Sequence, residues 1–224
     1  MLKRLLVVVA AALLLGPALF ASDRDDDLSR AQRAGEVFGE IMKAPDGGIP
    51  HDLLQKAKCV VVIPGTVKLA FIFGGNYGRG VATCRTPHGW SAPLFVALGG
   101  GSIGYQIGGS ATDLVFLLMN EHALHSLLSD NFKLGADASV AAGPVGRSAS
   151  ADTDLKLNAE ILSYSRSRGI FAGVSLSGSV IKIDKSADDA LYGPTADRHN
   201  ILDGSLKSPA GTRSLQAELD RYAR

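Results

Sequence analysis

The segment KCVVVIPGTVKLAFIFGGNYGRGVATCR, residues 58–85, decides the fold of this chain. It contains three runs with the β-branched and aromatic composition of strands, at residues 58–63, 67–73 and 77–85. Gly74, Gly75 and Asn76 separate the second run from the third and predict a turn. The segment therefore predicts neighbouring strands joined by a tight turn.

Further strand-like segments follow this stretch, and helices precede it. The sequence predicts strands at 90–98, 113–119, 136–142, 155–165 and 170–183, and helices at 28–44, 50–57, 121–129 and 214–223. Because the strands do not alternate with crossover helices, a parallel doubly wound sheet is not expected. The expected fold class is α+β: an antiparallel β-rich barrel or sandwich with N-terminal helices and one helix inserted near residues 121–129.

The N-terminus has the layout of a secretory signal peptide. Lys3 and Arg4 precede an apolar run at residues 5–15, which is shorter than the roughly 20 residues of a transmembrane helix. The sequence predicts a signal peptide at 1–21, with an uncleaved anchor as the alternative. The expected organisation beyond it is an acidic leader at 22–27, a single domain at 28–193, and a polar C-terminal tail with a short helix at 194–224.

Composition excludes several classes of protein. The 23 Lys and Arg residues nearly balance 22 Asp and Glu residues, which argues against a nucleic-acid binder that relies on a strong positive field. A hydrophobic fraction of 46% excludes wholesale disorder. The 26 glycines show no G-X-Y period, so they indicate turns and close backbone approaches rather than collagen.

The two cysteines, Cys59 and Cys84, lie near the ends of predicted neighbouring strands. Export would place them in an oxidising compartment, which favours a disulfide. Two buried free thiols are the alternative. No CxxC pattern or nearby histidine completes a ligand set, so the sequence predicts no metal site.

Motifs that resemble catalytic or cofactor sites fail on their context. Residues 99–104 spell both GxGxxG and GxSxG, the second centred on Ser102, but each motif requires a helix to begin there. The two glycines at 108 and 109 make such a helix unfavourable, so Ser102 is interpreted as a turn residue. His122 and His125 lie three residues apart without an obvious third ligand. The sequence therefore predicts no enzyme activity, no catalytic residue and no cofactor.

Two aspartates lie in strand-like surroundings where a carboxylate is costly unless it is paired. They are Asp113 and Asp137, and we interpret them as structural anchors or turn caps rather than as acid–base groups. The candidate partners are three arginines: Arg147, Arg166 and Arg168.

Six phrases between Ala57 and Gly193 occur in one order that is typical of a known family. They are VKLAFIFGGNYGRG at 67–80, LGGGSIGYQIG at 98–108, TD at 112–113, KLGADASVAAGPVGR at 133–147, YSRSRGIFAGVSLSG at 164–178 and YG at 192–193. On these phrases the chain resembles the SYLF lipid-binding domain family, as an exported bacterial member. Residues 28–56 resemble the helical lead-in of that family.

The resemblance implies a non-enzymatic, exported protein that binds a phospholipid or a membrane surface. Eukaryotic members bind phosphoinositides, and fungal members bind actin. No nucleic-acid partner and no cofactor are implied, and no protein partner is identified. A structural or protein-interaction module of the periplasm without a lipid ligand is the alternative.

Any attraction to anionic lipid must be local, because removing residues 1–21 leaves 21 basic and 22 acidic residues. Candidates for head-group contacts are the basic residues in or beside the family phrases: Lys68, Arg79, Lys133, Arg147, Arg166 and Arg168.

Overall fold

A computed structural model describes residues 24–44, 48–70, 74–102, 110–145, 159–167, 170–173 and 176–223. The predicted signal peptide at 1–21 and two candidate head-group residues, Arg147 and Arg168, lie outside these ranges.

Six helices and ten strands occur in the described residues. The helices are α1 (24–42), α2 (His51–Lys56), α3 (Glu121–Leu127), α4 (Lys185–Tyr192), α5 (Arg198–Leu202) and α6 (Ser214–Tyr222). The strands are β1 (Cys59–Ala70), β2 (Gly74–Thr86), β3 (Gly89–Trp90), β4 (Leu94–Ser102), β5 (Ser110–Leu118), β6 (Phe132–Lys133), β7 (Val140–Ala142), β8 (Ile161–Ser167), β9 (Ile170–Gly173) and β10 (Val180–Ile183).

The strands form one curled sheet, an open half-barrel. Its order among the described residues is β6-β10-β4-β2-β1-β5-β8-β7, with β3 paired to β2 and β9 paired to β8. The β7–β8 pair is parallel, and the other described pairs are antiparallel. This confirms the predicted α+β class and the helix inserted near residues 121–129. The curled half-barrel is consistent with the predicted β-rich barrel.

The turn predicted at Gly74–Asn76 is wrong, because these residues belong to β2. They pair with the glycine-rich end of β4, Gly75 with Gly101 and Asn76 with Gly100. Glycine usually weakens a strand, but here two glycine-rich strands lie side by side and their backbones still form the ladder. Ser102 likewise ends a strand instead of occupying a turn.

Two strands predicted separately, at 58–63 and 67–73, contribute to the single strand β1. A bulge interrupts this strand. The pairing register shifts between Val62 and Val67, around Pro64 and Gly65. Gly65 has a φ of 59°, in the left-handed region that glycine tolerates best. Its N–H donates to Asp113 Oδ1 over 2.9 Å, so the Asp113 carboxylate anchors the bulge.

Successive side chains along each strand point to opposite faces of the sheet, so the apolar residues form a core on each side. One side, here the α1 face, carries Val60, Val62 and Val81 and is covered by α1, α2, α4 and α6. The other side, the α3 face, carries Val61 and Ile63 and packs against α3 and α5. Because burying a side chain of this size stabilises by about 1.5–3 kcal/mol, a one-residue slip of register would be costly.

Both ends of the described chain take part in this packing. Asp27, in the stretch assigned to an acidic leader, is a buried residue of α1. Residues 194–223, assigned to a polar tail, contain α5 and α6, and Leu215 and Leu219 of α6 are core residues. At the crossing of α1 and α6, a Cβ on Gly35 would lie 2.5 Å from the Ser214 backbone carbon, so the two helices need a glycine there to approach.

Cys59 and Cys84 form a disulfide in the structure, as the sequence predicts. They are direct register partners on β1 and β2, with a Cα–Cα separation of 4.0 Å, and both are buried on the α3 face. The bond therefore fastens the central strand pair at the end opposite the glycines.

Replacing both cysteines with alanine should lower the free energy of unfolding by about 3 kcal/mol, since the bond closes a loop of about 25 residues. Urea unfolding of the double variant beside the oxidised parent protein measures this difference. Alkylation of both thiols in denaturant without reductant, in protein taken from an oxidising compartment, would show that the bond does not form.

Candidate functional site

Charged side chains mark the edge of the part of the sheet that α1 covers. Arg79 of β2 contacts Asp184 Oδ2 at 2.7 Å and Asp27 Oδ1 of α1 at 3.6 Å. On the far side of the β1 bulge, Arg166 of β8 pairs with Glu40 of α1 and with Asp113 Oδ2 at 3.4 Å. Helix α1 is thus tied to the sheet by an ion pair near each of its ends.

The Asp184 pair extends into the protein through Arg30. Arg30 Nη1 donates to Asp184 Oδ2 over 2.8 Å, its second nitrogen pairs with Asp27, and its guanidinium lies 4.9 Å from the ring centre of Phe95. Burial alone would raise the pKa of Asp184, but hydrogen bonds from Ser186, Arg30 and Arg79 outweigh it and lower the pKa to about 2. Asp184 is therefore a charged anchor at ordinary pH.

Beyond this edge the α1 face is exposed and apolar. Val67 and Tyr77 are 41% and 59% exposed, the two large hydrophobic side chains of the described chain that are not covered. They are register partners, and the same row continues through Gly99 of β4 to Val180 of β10. An open cavity of about 340 Å³ lies along the row, and its lining includes Tyr77, Ala97, Val180 and Lys182.

Two exposed lysines border this apolar row. Lys182 is the register partner of Ala97, and Lys133 of β6 is the register partner of Val180, so both lie on the α1 face. Neither has an ion-pair partner within the described ranges. The exposed region is called the Tyr77 surface below and consists of Val67, Tyr77, Ala97, Val180, Lys133 and Lys182.

The sequence-predicted head-group residues separate in the structure. Lys133 lies on the Tyr77 surface, whereas Arg79 and Arg166 are committed to ion pairs that hold α1. Lys68 is the backbone register partner of Asn76 on β2. Arg147 and Arg168 lie outside the described residues.

Sequence reasoning missed Lys182 and the exposure of Tyr77. The alternation of Val180, Ile181, Lys182 and Ile183 contained the signal for Lys182, because a lysine two residues from a partly exposed valine shares its face. Nothing in the sequence indicates where α1 stops covering the sheet. Tyr77 is exposed because it lies beyond that point.

The two aspartates singled out in the sequence have structural roles. Asp113 anchors the β1 bulge and pairs with Arg166, one of its three candidate partners. Asp137 Oδ2 accepts a hydrogen bond of 2.7 Å from the Lys133 backbone N–H and so caps a turn. Both observations fit the interpretation as anchor and cap.

One of the two histidines on α3, His122, pairs with Glu160 at the surface. His122 Nδ1 lies 2.6 Å from Glu160 Oε1, and Glu160 Oε2 accepts a bond of 2.8 Å from the Ser139 N–H. That backbone bond is the main cause of a lowered pKa at Glu160. Among the described residues no group of three histidine, cysteine or acidic side chains is placed to hold a metal ion. Within the same ranges, no helix is long and apolar enough to span a membrane.

A family model described as "Las17-binding protein actin regulator", Ysc84, matches residues 99–222 of the chain. The chain belongs to the Ysc84 family, which is the SYLF family indicated by the sequence phrases. The match runs from the glycine-rich end of β4 through α6 and so includes both C-terminal helices.

Ysc84-family relatives align with most of the chain. Over 204 residues it is 35% identical to Protein YSC84 and 34% identical to LAS seventeen-binding protein 3, both of Saccharomyces cerevisiae. Over 201 residues it is 32% identical to SH3 domain-containing YSC84-like protein 1 of Homo sapiens. These alignments cover 87% of this chain but 43–58% of the relatives, so the chain spans about half the length of the curated relatives it matches.

Proposed function

We propose that this Ysc84-family chain is an exported, non-enzymatic protein of the cell envelope that binds anionic phospholipid through the Tyr77 surface. The observation that carries the proposal is an exposed tyrosine in an apolar row bordered by two lysines without ion-pair partners in the described structure. The signal-peptide layout of residues 1–21 supports export.

The composition of the Tyr77 surface suits a membrane interface. A tyrosine presents an apolar ring and a polar hydroxyl, which favours the boundary between acyl chains and head groups. A lysine near an anionic surface contributes about 1 kcal/mol. The ion pairs of Arg79 and Arg166 keep those arginines from serving as additional head-group donors, so the attraction rests on Lys133 and Lys182.

A protein-interaction module without a lipid ligand is the second candidate. The names of the relatives favour it, since the family description reads "Las17-binding protein actin regulator" and the yeast relative is called LAS seventeen-binding protein 3. An exposed tyrosine is also typical of protein interfaces. Vesicle binding separates the two candidates, because a protein module has no affinity for protein-free lipid.

Changing Lys133 or Lys182 to glutamate should weaken binding to phosphatidylglycerol-containing vesicles by about 1 kcal/mol or more each, because each change reverses a charge near the lipid. Tyr77→Ser should weaken binding to anionic and neutral vesicles alike, since it removes apolar contact area. Vesicle flotation at several protein concentrations gives the apparent Kd of each variant.

Lys207→Glu is the matched control, because Lys207 is exposed and lies in the segment between α5 and α6, away from this surface. It changes the net charge equally and should leave binding nearly unchanged. Binding of the parent protein should also fall as salt rises. Equal binding to neutral and anionic vesicles at every salt concentration would contradict the electrostatic part of the proposal.

A further inference from the structure

A second cavity, of about 210 Å³, lies beyond the C-terminal end of β10. Its lining comes from the last residue of β10, from α4 and α5, and from the segment after α3. Two lining residues, Asp130 and Lys185, have strongly exposed side chains, so the cavity opens to solvent. None of the six residues of the Tyr77 surface lines it. Because pockets for drug-sized ligands enclose about 300–1,000 Å³, this cavity suits a smaller molecule.

The two basic side chains of this lining already have partners within the protein. Lys185 Nζ donates to both carboxylate oxygens of Asp189, over 2.6 and 2.7 Å. Arg198 donates to the Leu128 carbonyl and to Asp130 Oδ1, each over 2.7 Å. Because these contacts neutralise both cations, neither basic side chain of the described lining offers an unpaired positive charge to the cavity.

Two carboxylates of the lining, Asp188 and Asp197, have no ion-pair partner within the described ranges. Asp197 Oδ1 accepts the His199 N–H over 2.7 Å and caps α5. Asp188 is more than nine-tenths buried, and its Oδ1 accepts the Phe95 N–H over 3.0 Å. Its Oδ2 accepts no hydrogen bond from the described residues. The cavity therefore combines surplus negative charge with a buried carboxylate oxygen that a ligand could use.

The surroundings of Asp188 do not balance its charge. Arg30 of α1 attracts the carboxylate, but Asp184 and Asp189 repel it, and burial raises the pKa of Asp188 to about 7. A buried carboxylate is costly unless a charged or hydrogen-bonding partner compensates it. A carboxyl group with a perturbed pKa beside a cavity is therefore a candidate binding group, and a cation in the cavity would offset its cost.

We propose that this cavity binds a small alkylammonium ion, whose N–H groups donate to the carboxylates of Asp188 and Asp197. An ammonium group brings three N–H donors and one positive charge, and these two carboxylates lack a positive partner. The apolar lining, Ile183, Ala196 and Ile201, suits a short alkyl chain better than ammonium alone. A metal ion fits less well, since no cluster of three histidine, cysteine or acidic side chains in the described ranges could hold one.

Isothermal titration calorimetry with n-butylammonium chloride tests the site directly. At pH 8 the amine carries its proton and Asp188 is ionised, so both charges are present. The parent protein should bind butylammonium with a Kd of roughly 1–10 mM, as expected for a ligand of so few atoms. Two probes isolate the two features of the ligand: 1-butanol has the alkyl chain without the charge, and KCl has the charge without the N–H donors. Both should bind at least about tenfold more weakly.

Asp188→Asn should weaken butylammonium binding about tenfold or more, because it removes the buried charge while an amide oxygen remains for the Phe95 N–H. Asp197→Ser keeps a capping side chain for α5 and should weaken binding several-fold. Asp220→Asn is the matched control, since Asp220 is exposed on α6 and does not line the cavity. It changes the net charge as Asp188→Asn does and should leave the Kd unchanged.

The proposal is overturned if butylammonium binds the parent protein no more tightly than butanol or KCl does, or if Asp188→Asn binds it as tightly as the parent protein. Equal weakening by Asp220→Asn also overturns it, because the amine would then respond to net charge and not to the cavity. Circular dichroism shows whether each variant is folded, and Asp197→Ser decides the matter if Asp188→Asn is not. The calorimetry contains no lipid, so its outcome is independent of the vesicle experiments on the Tyr77 surface.

Discussion

Gly80→Ala should destabilise the protein by about 3 kcal/mol or more, enough to prevent folding of a marginal domain. A Cβ at this position of β2 would lie 2.0 Å from the Val62 carbonyl oxygen and 2.7 Å from the Ile63 Cα. Both atoms belong to the backbone of β1 directly before its bulge, so no side-chain rotation relieves the collision. Thermal unfolding followed by circular dichroism, or loss of soluble protein on expression, measures the effect.

Gly75→Ala on the same strand is the matched control. The nearest atom to its Cβ would be the Gly100 carbonyl oxygen at 3.8 Å, an ordinary contact. Alanine also restricts the unfolded chain, so Tm should stay unchanged or rise slightly. Equal stability of the two variants would show that the β1 backbone does not approach Gly80 this closely at the bulge.

The sequence located the important glycines only in part. A prediction from the turn pattern would make Gly74, Gly75, Gly100 and Gly101 the sensitive positions. Of these, Gly100 has a close contact in the structure, with the Ser179 Cα 3.0 Å from a Cβ, and Gly75 has none. Sensitivity depends on which strand lies beside each glycine, and sheet order brings together residues such as Gly100 and Ser179 that are far apart in the chain.

The local residue pattern was sufficient to predict the strands that carry the disulfide and the helix α1. The β-branched runs beside Cys59 and Cys84 predicted β1 and β2, and the 3.6-residue spacing of apolar residues predicted α1. These signals are local because each element buries one regular face. The separation of β9 from β10 was not predicted, because apolar and polar residues alternate at 174–177 as they do along a single strand.

The candidate site was harder to predict because its character depends on distant pairing. Arg79 and Lys133 are both basic residues within family phrases, and nothing local distinguishes them. Asp184, 105 residues after Arg79 in the chain, neutralises Arg79, whereas Lys133 lies on the exposed surface. Ion pairs of this kind are decided by the sheet order β10-β4-β2, which one sequence does not reveal.

Asp188 should make the protein less stable as the pH rises from about 4 to about 7. It is 5% exposed, and its Oδ1 accepts a 3.0 Å hydrogen bond from the Phe95 N–H. Burial raises the pKa of Asp188 from 3.8 to about 7; Asp184 and Asp189 add to this effect, while the Phe95 N–H and Arg30 oppose it. Below the unfolded value of 3.8 the group is protonated in both states and has no effect on stability.

Between these two values the folded protein binds a proton that the unfolded chain has released, so stability falls as the pH rises. Above about pH 7 the carboxylate is ionised in both states, and the destabilisation is complete. Since one pKa unit corresponds to about 1.4 kcal/mol, a rise from 3.8 to about 7 amounts to about 4 kcal/mol. Asp184 acts in a different range, because its lowered pKa contributes stability that is lost only as the pH falls from 3.8 towards about 2.

Asp188→Asn removes the titrating group and keeps an oxygen for the Phe95 N–H. The variant should therefore gain stability relative to the parent protein as the pH rises, with the two curves diverging between pH 4 and 7 and running parallel above pH 7. Urea unfolding at half-unit steps of pH measures both curves. Asp189→Asn, the control on the next residue of α4, removes a surface ion pair with Lys185 and the smallest of the contributions named above to the raised pKa of Asp188. It should change stability by about 1 kcal/mol at most, with a curve that still falls between pH 4 and 7. Two results would contradict this prediction: a parent protein whose stability is constant from pH 4 to 7, or an Asp188→Asn curve parallel to that of the parent over this range. Either would show that Asp188 ionises without destabilising the folded protein, and that water reaches the contact between α4 and β4.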